Sequence, residues 1–150
     1  MQVFGKRFLI GWILSSLGMF GLSYCWHGLF LNDYKLINYP IGIYMIAAAI
    51  AYLFIGFLVS RAFLLRFFDK ISKHPLLRGP AVGFACGMLV YVVATVVHVN
   101  FTKDLDLKYL LLDLTWQGIE QSIGGLLIGI VYMTVFEAFP HPAEIEEEEA

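Results

Sequence analysis

Charge is the scarcest ingredient of this sequence. Of its 150 residues only 15% are charged and 59% are hydrophobic, with a mean hydropathy of +0.75. A soluble domain carries about 25% charged and about 45–50% apolar residues, which excludes an ordinary water-exposed surface. Cysteine is also rare: Cys25 and Cys86 are the whole supply. They fall near the end of the first apolar run and near the start of the third, several helical turns apart in an up-down bundle. That exceeds the roughly 4.4–6.8 Å Cα separation of a disulfide, so two small buried thiols are expected. No CxxCH or HExxH spacing occurs, and no nucleophile stands beside a base, which argues against hydrolytic chemistry. The net charge of −2, with five glutamates of the tail offsetting the basic loops, and the lack of a basic and aromatic stripe set nucleic acid aside.

What the chain has instead is four long apolar runs, over residues 8–26, 39–60, 79–99 and 107–139. About 20 helical residues cross about 30 Å of hydrocarbon. The expectation is an all-α membrane protein, a four-transmembrane-helix bundle formed by residues 1–140 as a single domain. Pro140, His141 and Pro142 stop the last helix, and residues 141–150 form an acidic, disordered cytoplasmic tail. The first run exceeds the 7–15 residues of a signal-peptide core and lacks a small-x-small cleavage site, so it reads as a retained helix. Pro40 suits the first turn of the second helix. Ala47, Ala48, Ala49, Ala51 and Gly56 make that helix the expected tightly packed structural element.

Residues 61–78 hold five bases (Arg61, Arg66, Lys70, Lys73 and Arg78) against Asp69, interleaved with Phe63, Phe67 and Phe68. This pattern predicts a short cytoplasmic surface helix after the second span, where anionic membrane lipid would attract each base by about 1 kcal/mol. The other two loops hold Lys35, and Lys103 with Lys108. Counting bases alone, the bias gives an N-in, C-in, multi-pass protein of the cell inner (plasma) membrane.

Glycines at four-residue spacing, Gly79, Gly83 and Gly87, form a ridge that admits a neighbouring backbone, as do Gly125 and Gly129, and Gly11, Ser15 and Gly18. These ridges suggest packing against a second copy, as a homo-oligomer, or within a larger membrane complex. The fourth run is the unusual one. Asp113, Gln117 and Glu120 recur at helical spacing and make one polar stripe that continues through Gly124. A carboxylate inside a span is costly unless partnered, so Glu120, Gln117 and Asp113, with Tyr91 and Trp116, are the candidate ligand or proton site. Partners for Glu120 would come from Gln117 or Gln121 on its own helix, from Tyr24, Tyr91 or His98 across the bundle, or from a bound ion. A neutral Glu120 hydrogen-bonded to a Tyr or Thr is the purely structural alternative.

Depth arithmetic at about 1.5 Å per residue puts His27 and His98 at the outer interface with Asp113, and Glu120 about 18 Å below Lys108, near the midplane. His27, His98 and Asp113, joined by Asp33, have the N and O donors of a divalent-metal site. A haem held between the two histidines is the less favoured cofactor. Three functional classes follow. The one needing fewest assumptions is a small integral membrane binding module or accessory subunit, not an enzyme, with a polar intrabundle site opening to the outer leaflet. The alternatives are a small transporter or a proton or metal-ion conductor using Glu120, Asp113 and the histidines, and a metal- or haem-dependent membrane redox protein. The two halves of the chain show no inverted repeat, which counts against transport. Purified protein is expected to show no Soret band; haem absorbance in the visible spectrum would promote the bis-histidine reading.

Overall fold

The computed structural model describes residues 5–36, 40–99 and 107–135. The acidic tail, the loop 100–106 and the side chains of Asp33 and His98 lie outside the described residues. The described chain is helical, without a strand. Helix α1 (Lys6–Ser23) continues directly into a π-helical segment, Tyr24–Phe30. It is followed by α2 (Ile41–Phe63), α3 (Pro75–Val99) and α4 (Leu107–Thr134). Helix is the conformation in which an apolar segment satisfies its own backbone donors and acceptors, as hydrocarbon requires. Pro40 caps α2 and Pro75 opens α3, where a missing N–H goes unnoticed.

Three helices are long and apolar enough to cross a membrane: Lys6–Phe30, Ile41–Phe63 and Pro75–Val96. At 28 residues α4 is longer still, but it carries Lys108, Asp113, Gln117, Glu120 and Gln121. Glu120 and Gln121 are buried where α4 touches α1, α2 and α3, whereas Lys108 and Asp113 are exposed. The contact of α4 with α3 is backbone on backbone. A Cβ placed on Gly79 would overlap the Gly125 carbonyl, one on Gly83 the Gln121 carbonyl, and one on Gly129 the Pro75 carbonyl. Towards α1, Gly124 leaves room for Met19 and Ser15, and a Cβ on Gly11 would make ordinary contact with Ile128 at 3.7 Å. The ridges read from sequence as surfaces for another chain are therefore occupied within this one.

The bundle is zoned along its length. At the end holding the α2–α3 loop, Val59, Phe63, Phe68, Val82 and Ile128 form an apolar core. Arg78 secures this end: it pairs with Asp69, donates to the Leu65 carbonyl at 2.8 Å and lies over the Phe63 ring. Arg7 donates to the Val135 carbonyl at 2.6 Å, joining the first helix to the last. The predicted surface helix is reduced to one 3-10 turn, Arg66–Lys70, because α2 runs on to Phe63 and α3 starts early, at Pro75.

Two further expectations are corrected. Helix α2 is the least buried of the apolar helices, with Ile43, Ile46, Ile50 and Phe54 all exposed. It is apolar nearly all round, so its small residues do not report which face is packed. It packs chiefly on α1: Gly56 abuts Ser16, Phe57 meets Phe8 and Trp12 edge-on, and the Trp12 indole donates to the Leu53 carbonyl at 2.7 Å. Of the two thiols, Cys25 is exposed and Cys86 only half-buried. Replacing Gly83 by Ala should destabilise the purified protein by about 1–3 kcal/mol through forced overpacking. Gly21→Ala, which meets nothing within 4 Å, should be neutral or slightly stabilising. Paired denaturation curves in one detergent check both.

Candidate functional site: a buried carboxyl beside an intrabundle cavity

At the other end of the bundle the interior turns polar. Glu120 is 1% exposed and Gln121 is fully buried, on the inward side of α4. The helix itself supplies the first partner of Glu120, since Trp116 one turn earlier donates its indole N–H to Oε2 at 3.0 Å. The Trp116 ring is held in turn by Trp26, stacked on it at 4.2 Å between centroids and 9° between planes. Across from α4, the Tyr52 hydroxyl of α2 faces both the Glu120 carboxyl and the Ser23 hydroxyl. His27 is near enough for its charge to act on the same carboxyl. The second oxygen, Oε1, is buried with no partner at hydrogen-bond distance, as are both amide atoms of Gln121.

The π-helical segment explains how α1 reaches this site. Around Trp26 the hydrogen bonds lengthen by one residue, so that the Leu31 N–H donates to the Trp26 carbonyl at 2.9 Å. The wider turn alters which side chains face inward. It brings Trp26 onto Trp116, and His27 to the wall of a cavity that Gln117 also lines. The chain then reverses at Asn32, whose φ of 59° lies in the left-handed region that Asn tolerates well. Tyr34 folds back against Gly28, where a Cβ would come within 2.8 Å of its ring.

The cavity measures about 520 Å³. Its polar wall comprises Ser23, His27, Tyr34, Tyr44, Tyr52 and Gln117. Phe20, Ile55, Val90 and one alanine face of α2 form the rest. The alanines read as packing surface therefore make empty space here. Tyr44 stands edge-on to Tyr34 at 5.5 Å, and Tyr34 in turn contacts Tyr24 at 5.8 Å.

The sequence-derived candidates divide on this geometry. Glu120 and Trp116 are joined by a hydrogen bond, Gln117 and His27 line one cavity, and His27 is near enough for its charge to act on Glu120. Tyr91 is elsewhere, its hydroxyl donating to the Leu110 carbonyl at 2.6 Å. Asp113 sits on the exposed side of α4. Among the described residues no three His, Cys, Asp or Glu side chains form a metal-holding group, and the His98 and Asp33 side chains of that expectation are not described. Tyr52, Tyr44, Tyr34 and Ser23 escaped sequence reasoning. The available signal was Tyr44 and Tyr52 lying eight residues apart, close to one face of an otherwise apolar helix.

Compared with known protein families, curated proteins and solved structures, the chain matches none.

The Trp116–Glu120 bond makes the two residues energetically dependent. Trp116→Phe should cost about 1–3 kcal/mol by leaving a buried carboxyl oxygen without its donor. In the Glu120→Leu background the same replacement should cost distinctly less. A double-mutant cycle on unfolding free energy reads the difference; additive losses would mean that the bond contributes nothing.

Proposed function

We propose that this protein is an integral membrane binding module, a four-helix bundle in the cell membrane with α4 as its fourth span, whose ligand site is the cavity beside Glu120. One observation carries the reading: the Tyr52 hydroxyl that faces the buried Glu120 carboxyl also lines a cavity of about 520 Å³, with His27 and Gln117 in the same wall. Buried polar groups are normally satisfied, and a membrane-embedded acid is expensive. A chain that needed only to fold would be better served by leucine at residue 120. The cavity volume falls within the roughly 300–1,000 Å³ of small-molecule sites.

The distribution of bases supports the orientation. Arg61 at the end of α2 and Arg66, Lys70 and Lys73 in the following loop are exposed, a basic bias that supports a cytoplasmic position for the apolar-core end. The cavity then lies in the outer half, walled on one side by the sparsely packed α2, along which a ligand dissolved in the outer leaflet could enter. At about 1.5 Å per residue, 28 residues of α4 exceed the hydrocarbon thickness. Its polar residues Gln117, Glu120 and Gln121 are sheltered by the other helices.

The test is whether the cavity is occupied in the native membrane. Protein extracted in a mild neutral detergent and examined by native mass spectrometry should retain a small molecule. Ala48→Leu, which fills the cavity, should remove that extra mass while leaving the unfolding midpoint nearly unchanged. Identical spectra with no retained mass in either protein would count against the reading.

A further inference from the structure

We propose that a cleft between α2 and α3, at the apolar-core end of the bundle, holds one acyl chain of a phospholipid whose anionic headgroup lies on Arg61, Arg66, Lys70 and Lys73. This second site rests on the chain being embedded in a membrane, and not on the cavity beside Glu120 being occupied.

The first observation is the cleft. It measures about 290 Å³, and every described residue that lines it is apolar or a thiol. Its walls include the small Ala62, Ala85 and Cys86, and α2 touches α3 far less than α4 does. Along α2 the cleft follows directly on the polar cavity, with Ile55 and Val90 walling both. Unfilled space between apolar side chains forfeits dispersion contacts. A flexible hydrocarbon chain is the occupant that a membrane supplies.

The second observation is the charge beside it. Phe68 lines the cleft from within the turn Arg66–Lys70, two residues from a base on either side, and Arg61 adjoins the lining residue Ala62. Asp69, the acid of this loop, is paired with Arg78. Arg61, Arg66, Lys70 and Lys73 are exposed, with no ion pair among the described residues. Bases at a membrane surface attract anionic lipid, and arginine binds a phosphate ester through two parallel N–H groups. A soluble anion would leave the cleft empty, and a neutral lipid would leave the bases uncompensated. One molecule with an apolar chain and an anionic head answers both.

The experiment titrates the full chain, in a neutral detergent, with phosphatidylglycerol, with phosphatidylcholine of the same acyl chains, and with glycerol phosphate. Native mass spectrometry identifies each bound species by its mass. Phosphatidylglycerol should bind at least about tenfold more tightly than phosphatidylcholine, and glycerol phosphate should not displace it. Arg66→Gln and Lys70→Gln together, both at exposed positions, should weaken phosphatidylglycerol by about tenfold and leave phosphatidylcholine unchanged. Ala85→Leu, which narrows the cleft from an exposed position, should weaken both lipids. Ala48→Leu lies in the other cavity and should weaken neither, which separates the two sites. In Cys25→Ser protein, phosphatidylglycerol should slow alkylation of Cys86 by N-ethylmaleimide severalfold. Equal affinity for the two lipids, or unaltered phosphatidylglycerol affinity in the paired variant, overturns the proposal. A dimer mass that Ala85→Leu abolishes, with no lipid bound, overturns it by assigning the cleft to a second copy. Binding that appears only when Glu146, Glu147, Glu148 and Glu149 are replaced by Gln overturns it by assigning the bases to the acidic tail of the chain. Failure to bind either lipid overturns it too, while the small retained mass beside Glu120 is decided by its own measurement.

Discussion

Burying Glu120 constrains the arrangement of all four helices. A buried carboxyl group needs protein on its side of the helix, and α4 is touched by each of the others. Close approach on two sides demands glycine, which Gly79, Gly83, Gly125 and Gly129 supply where α3 meets α4, and Gly124 where α1 does. The same constraint accounts for the loosely held α2. Once α1 and α3 flank α4, α2 is left to cover the remaining side, and at the polar end it does so across a cavity rather than through packed side chains.

The two ends of the bundle follow different rules. Where the core is Val59, Phe63, Val82 and Ile128, apolar burial and the Arg78 contacts hold the helices together. Where it is Ser23, Tyr52, Trp116 and Glu120, hydrogen bonds and ring stacking replace aliphatic packing, and they leave gaps.

Much of the architecture was legible in the residues. Long uncharged runs separated by basic loops mark apolar helices, and glycines at four-residue spacing mark close approach; both depend on local composition. Glu120, Gln117 and Trp116 stood out because polar groups inside an apolar run are conspicuous wherever they face. What could not be read was rotation. Helix α2 is apolar on every side, so nothing local says that Tyr52 and Tyr44 turn inward while Ile43 and Phe54 turn out. Nor does Tyr91, on the glycine face of α3, announce that the Leu110 carbonyl will take its hydroxyl. The ridges misled in a different way: a small-residue stripe shows that something packs closely, and cannot distinguish a helix of the same chain from one of another.

The π-helical segment Tyr24–Phe30 has a consequence for how such a protein can vary. It behaves as an α-helix holding one residue too many, with the surplus accommodated by swinging Trp26 and His27 towards α4. Removal of a single residue there would let the turn relax to ordinary helix and rotate the end of the first helix by about 100°. The segment would remain long enough to span, yet its aromatic and imidazole groups would point elsewhere. Apolar length and the direction in which side chains face are thus separable features of one segment, and a one-residue change in length alters the second while leaving the first intact.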